Sequence, residues 1–201
     1  MRRLIFIVII FISIAILIGC GSSRKVSRTS TDTEVDLSGR WNDTDSRITA
    51  EKIIGELLNS NWLANYNNSV KNKPVVIVGN IKNETSEHIQ TSVFIKDIER
   101  ELVNSGKVKF VASKTERTDI RDERLDQQSY SSLETANRLA EETGADFMLA
   151  GILSSLIDAI EGQAVKYYQV DLELINLENN EKEWMGSKKI KKIVEQDGYK
   201  F

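Results

Sequence analysis

The chain has 201 residues, with 27 Lys or Arg, 30 Asp or Glu, and one each of Cys, Pro and His, for a formal net charge of -3. That length fits one domain with an appendage, and 40% hydrophobic with 28% charged residues is the composition of a globular chain. A lone Cys and a lone His exclude a zinc finger, a multi-Cys metal cluster and an intrachain disulfide, and an acidic balance is the wrong sign for a nucleic-acid partner.

Arg2 and Arg3 precede an apolar stretch from Leu4 to Ile18 broken only by Ser13. It falls short of the roughly 20 residues of a comfortable membrane span, and a basic start followed by an apolar middle reads as a secretory leader. The leader ends Leu17-Ile18-Gly19-Cys20, which resembles the bacterial lipobox. In that motif the Cys thiol takes a diacylglycerol group and becomes the mature N-terminus, which would account for the only Cys. The expected organisation is a lipoprotein signal peptide over 1–19, a lipidated flexible tether over 20–35 and a globular domain over 36–201. The tether is Ser, Thr and charge with almost nothing apolar. It reaches about 50 Å fully extended at roughly 3.4 Å per residue, and averages nearer ~20 Å as a flexible coil.

The body opens with an amphipathic pattern in which Ile54, Leu57, Leu58 and Trp62 share a face, predicting one helix from about Thr44 to Asn65. Asp43, Thr44 and Asp45 can cap its start, with no Glu or Gln placed to complete a capping box. Pro74 opens a strand, Val75 to Val78, whose continuous apolar run suggests two buried faces. A second helix begins between Ser86 and Ser92, carries Ile95, Ile98 and Leu102 on one face, and stops at Gly106. Val108 to Val111 is the next strand. Residues 114–126 hold charge with only Ile120 and Leu125 as anchors, so they form an exposed loop or a marginal helix. Ser131 and Glu134 make a capping box for a third helix that ends at Gly144. Phe147 to Leu153 is again a buried strand. Val170, Leu172 and Leu174 then alternate with polar residues, Glu178 to Glu181 make a turn, and Trp184 to Ile193 return antiparallel. The order α, β, α, β, α, β, β, β predicts an α+β fold: a central mixed sheet of about five strands with three or four helices.

No Gly-rich phosphate loop, nucleophile elbow or HExxH motif is present, and no carboxylate pair stands out, so no catalytic, metal or cofactor residue is assigned. Three stretches are candidate partner surfaces. Arg40 and Trp41 have the composition of an interface anchor, although Trp41 also suits a staple between helix and sheet. Asn80, Asn83, Thr85 and His88 follow the end of a buried strand, where α/β sheets place binding loops; a plain turn held by Asn and Thr side chains fits equally. Lys188 and Lys189 belong to a lysine run on the last strand. Lysines there either blunt a sheet edge or meet an acidic partner or anionic lipid.

Together DLSGRWNDTDSR (Asp36 to Arg47), VGNIKNETSEHIQT (Val78 to Thr91), DIERELVNSGKVKFV (Asp97 to Val111), GADFMLAG (Gly144 to Gly151) and the VKYYQVDLELINLEN hairpin resemble the LpoB family of penicillin-binding protein activators. The resemblance runs from about residue 36 to 195. It implies an outer-membrane lipoprotein facing the periplasm, whose domain is similar to the N-terminal domain of TolB. Such a domain binds a bifunctional penicillin-binding protein, the peptidoglycan synthase, and stimulates it. The implied protein is a regulator of cell-wall synthesis, not an enzyme, with no small-molecule substrate and no cofactor. One departure is the tether, which lacks the long Pro-rich linker of enterobacterial members; it favours the alternative of a structural or transport-linked envelope lipoprotein with the same binding domain.

Overall fold

The structure is a computed structural model that describes residues 26–112, 114–129 and 144–195. The chain divides into two units, Met1–Thr33 and Glu34–Phe201. In the first, the Thr33 N–H donates to Ser30 O at 3.1 Å and closes a turn.

The second unit begins with two helices where the apolar period suggested one: α1 (Asp43–Leu58) and α2 (Asn61–Ser69). The period continues from Leu58 to Trp62, but side chains take the carbonyls that would carry the helix on. Ser60 Oγ donates to Leu57 O at 2.7 Å, Trp62 Nε1 donates to the same oxygen at 2.8 Å, and Asn59 Nδ2 reaches Gly55 O at 2.8 Å. Such local bonds compete with the helix ladder. The start also differs from expectation. Asn42 is the N-cap, and Asp45 closes the capping box that was not foreseen: Asn42 Oδ1 accepts from the Asp45 N–H at 3.1 Å while Asp45 Oδ2 accepts from the Asn42 N–H at 2.9 Å. An Asp in the third position does the work usually done by Glu.

The first strand, β1 (Val75–Asn83), runs five residues past the apolar run, across a register shift between Val78 and Ile81. The shift lets the strand continue through Gly79 and Asn80 while returning Ile81 to the buried face. Next comes α3 (Thr91–Ser105), which buries Phe94, Ile98 and Leu102 and ends at Gly106 with φ of 62°. A left-handed C-cap is the conformation glycine adopts without a Cβ penalty. Strand β2 keeps only Lys109–Phe110, and the charged segment after it is helical, α4 (Lys114–Ser129). The helix foreseen from Ser131 to Gly144 lies mostly outside the described residues. Long strands follow: β3 (Phe147–Ile160), β4 (Gln163–Asn176) and β5 (Lys182–Glu195).

The five strands form one mixed sheet in the order β2-β1-β3-β4-β5, parallel across β2, β1 and β3 and antiparallel from β3 to β5. The expected α+β class and five-stranded mixed sheet are thus the observed ones. Helices α1 and α3 pack against each other over one face, α1 reaching β5 and α3 reaching β1. Ala50, Ile53 and Leu57 of α1 and Phe94 and Leu102 of α3 meet Leu149, Leu153, Leu172 and Leu174, all without measurable exposure. Burying each large side chain contributes about 1.5–3 kcal/mol, and this layer supplies the rigidity on which the surface described next is held.

Candidate binding surface

The residues before α1 form a strap across the sheet. Asp36 to Asn42 cross the end of β4 and β5, and Gly39 makes the crossing possible: its φ is 63°, and a Cβ there would overlap Val194. Buried charge holds the strap down. Lys192 Nζ lies 2.7 Å from Asp36 Oδ2 and 2.6 Å from Asp45 Oδ2, and it also donates to Arg40 O at 3.1 Å. Tyr168, fully buried on β4, donates its hydroxyl to Gly39 O at 3.2 Å.

A second clamp ties the strap to the loop after β1. Glu87 Oε2 accepts the Trp41 N–H at 3.2 Å, and Lys166 Nζ reaches Glu87 Oε1 at 3.1 Å with both side chains nearly buried. Burial by itself would raise the Glu87 carboxyl, but the neighbouring Tyr168 hydroxyl and the hydrogen bonds from Lys166 and the Trp41 N–H outweigh it and lower the group from its ordinary value. Asp45 goes the other way. Its burial raises it, and the bonds from Lys192 and the Asn42 N–H only partly oppose that. The Tyr168 hydroxyl is raised by burial and by the neighbouring Glu87 carboxylate, so it stays a donor.

Between strap and loop lies a groove of about 340 Å³ lined by Arg40, Trp41, Ser46, His88, Ile89 and Val93. Three of the residues singled out in the sequence, Arg40, Trp41 and His88, therefore meet around one depression. The Trp41 ring packs edge-on to Phe94 at 6.1 Å and to Tyr168 at 5.7 Å, and its Nε1 donates to Ser46 Oγ at 2.8 Å. That is the staple between helix and sheet, with one ring edge left in the groove. Arg40 and His88 are exposed.

The other candidates lie elsewhere. Asn80 and Asn83 belong to β1 and not to the loop where they were placed, because the register shift prolongs the strand. Asn83 Oδ1 accepts from the Thr85 N–H at 3.0 Å and the Thr85 hydroxyl at 2.8 Å, while its Nδ2 donates to Glu87 O at 2.9 Å. The Asn83 and Thr85 side chains are spent on shaping the turn that presents Glu87. Lys188 and Lys189 are on the edge strand, paired opposite Val170 and Gln169, so strand alternation sends them to opposite faces. The lysine run is not one patch: Lys192, its last member, is the buried centre of the clamp.

The clamping groups themselves, Glu87, Lys166, Tyr168 and Lys192, carry no local sequence signal, since they are brought together from separate elements. At the opposite end of β3, a larger cavity of about 740 Å³ is lined by Trp62, Tyr66, Asp146, Asn176 and Glu183 among others. Its Asp146 carboxylate is occupied by the Tyr66 hydroxyl at 3.0 Å and the Val75 N–H at 2.8 Å. Among the described residues, no group of three or more His, Cys, Asp or Glu is placed to hold a metal ion, and no helix is long and apolar enough to cross a membrane.

The model of the family described as peptidoglycan-synthase activator LpoB matches residues 45–190. The chain belongs to the LpoB family. The matched span runs from the capping box of α1 into the lysine run of β5, so it takes in both clamps except Lys192 and the strap. The chain is similar to the LpoB C-terminal domain from Salmonella enterica, with 19% identity and a TM-score of 0.43 over 76% of this chain and 99% of that one. The LpoB C-terminal domain from Escherichia coli gives 16% identity and 0.42 over 70% and 97%. Lipoprotein GNA1162 from Neisseria meningitidis gives 12% identity and 0.35 over 60% and 83%. No curated protein matches the chain. The LpoB family consists of envelope lipoproteins that act on peptidoglycan synthesis as synthase activators.

Proposed function

We propose that this protein is an outer-membrane lipoprotein, facing the periplasm, that binds a bifunctional penicillin-binding protein and stimulates its peptidoglycan synthesis without catalysis of its own. The family match over residues 45–190 is the observation that carries the reading. The site chemistry supports it, because the buried carboxylates Glu87 and Asp45 are each neutralised by a lysine and are committed to holding the strap. What remains available around the groove is a guanidinium, an imidazole, an indole edge and the exposed Val93, with the Asp43 carboxylate and the Gln90 amide beside them, which is the make-up of a protein-binding surface.

In this reading residues 1–19 are removed, Cys20 is acylated, and residues 20–35 are the tether. Replacing Cys20 by Ser would abolish incorporation of labelled palmitate and release the protein from the membrane fraction; label retained in that variant would refute the anchor. Activation is tested by adding purified protein to the bifunctional synthase of the same cell and following glycan polymerisation and cross-linking. A severalfold rise that is lost with Arg40→Glu supports the reading. An unchanged rate with no detectable complex overturns it. The short tether favours a second reading, a structural or transport-linked outer-membrane complex, and co-purification with outer-membrane components in place of a synthase would select it.

A further inference from the structure

The pairing of β1 with β3 ends at Asn83 opposite Leu153, but β3, β4 and β5 run on together to the row Ile160, Gln163, Glu195. This three-stranded end carries a group of exposed apolar side chains, on a face where the body of the sheet also exposes Met185. Leu156 is 72% exposed, Ile160 70% and Ile193 67%, and the alternation of the strands puts all three on the face away from the strap. Ile157, 47% exposed, extends the apolar surface around the other side. Isolated exposed apolar residues are ordinary, but several together at one tip mark a contact surface.

The occupant follows from where the chain enters. Asp36, the first strap residue, is bonded to Lys192, in the row Ile157, Lys166, Lys192. That row is three residues from the end of the tip, or about 10 Å along the strands. We infer that this tip rests on the lipid surface to which the chain is anchored, with Leu156, Ile160 and Ile193 in the headgroup region. The inference rests on the anchor at Cys20 and not on the identity of the partner. A short tether entering at the tip makes docking an intramolecular event, so a contact too weak to hold a free protein suffices. Charge does little of the work. On the contact face Lys189 and Lys191 stand against Asp158 and Glu195, with Glu161 at the turn, so no net positive charge draws the tip to anionic lipid and the contact survives high salt.

The test uses the full chain purified from membranes and reconstituted into phosphatidylethanolamine and phosphatidylglycerol vesicles. Because the single native thiol is acylated, a nitroxide can be placed at Ile160→Cys alone and, as a control at the far end of the sheet, at Glu178→Cys. The expected result is an aqueous nickel chelate reaching position 160 less readily than 178, by about threefold or more. The difference persists in high salt and disappears in Leu156→Asp combined with Ile193→Asp, whose exposed positions leave the fold intact. Equal access at both positions in a chain that floats with the vesicles overturns the docking and leaves the anchor standing. So does protection that arises only when a synthase is added. A chain that does not float overturns both.

Discussion

Strand β3 passes through two environments with nearly the same residues in each. In its first half Leu149 and Leu153 lie under α1 and α3 with no exposure; in its second half Leu156 and Ile160 stand more than two-thirds exposed. Neither side-chain type nor backbone differs between the halves. What differs is first the face: strand alternation turns Leu149 and Leu153 toward the helices and Leu156 and Ile160 to the opposite side, and beyond Leu153 the strand also loses its pairing with β1. The strap secures that uncovered end on one face by polar means, through Lys192, Lys166 and Tyr168, where the body is secured by apolar burial. One end of the sheet is held by packing and the other by a few buried charges.

That contrast can be broken from either side. The largest effect is expected in the body: Leu153→Ala costs about 3–4 kcal/mol in urea unfolding, whereas Leu156→Ala on the same strand stays within about 0.5 kcal/mol. Next comes the clamp. Lys192→Met leaves Asp45 buried without its cation, and stability falls by about 2 kcal/mol, less than for a fully buried pair because Asp36 is half exposed and Asp45 can take up a proton. Gly39→Ala strains a left-handed position and pushes on Val194, for a loss of about 1–2 kcal/mol in the same measurement.

The smallest effect is the pH dependence, and it sharpens the comparison because the two clamp carboxylates have opposite signs. Glu87 is held below its ordinary value of 4.5, so its stabilising contribution is complete above that pH and is lost as pH falls through the folded value. Asp45 is raised above 3.8, so its contribution is complete in acid and is lost as pH rises through the folded value. Glu87→Gln therefore flattens the decline in melting temperature between roughly pH 5 and 3, and Asp45→Asn steepens it. Identical profiles for both variants would show that neither carboxylate is coupled to folding.

Much of the body is legible in the sequence because its signals are local and repeated. Val170, Leu172 and Leu174 alternate as strands do, and Gly106 ends a helix as glycines do. The break between α1 and α2 is not legible, because Leu58 and Trp62 keep the helical spacing while Ser60 and Asn59 undo the hydrogen bonding. The extension of β1 to Asn83 is hidden by a shift in register, which scrambles the pattern that would announce it. As for the candidate surface, Arg40, Trp41 and His88 can be picked by residue type. That they share a groove cannot, since it depends on Glu87 and Lys166, nearly eighty residues apart. Lys192 shows the limit of composition: four lysines around Ile190 read as a uniform basic edge, and only the alternation of the strand and the position of Asp45 turn one of them inward.

The strap also decides how the domain carries a load. A pull arriving along the chain at Asp36 reaches Lys192, Tyr168 and Glu87 before it reaches the first turn of α1. These contacts sit on β4, on β5 and on the loop after β1, so tension is shared across several bonds loaded together instead of peeling one helix from its end. A protein moored at its front would thus keep its groove in shape under drag, with the mooring point built into the same polar knot that shapes the groove.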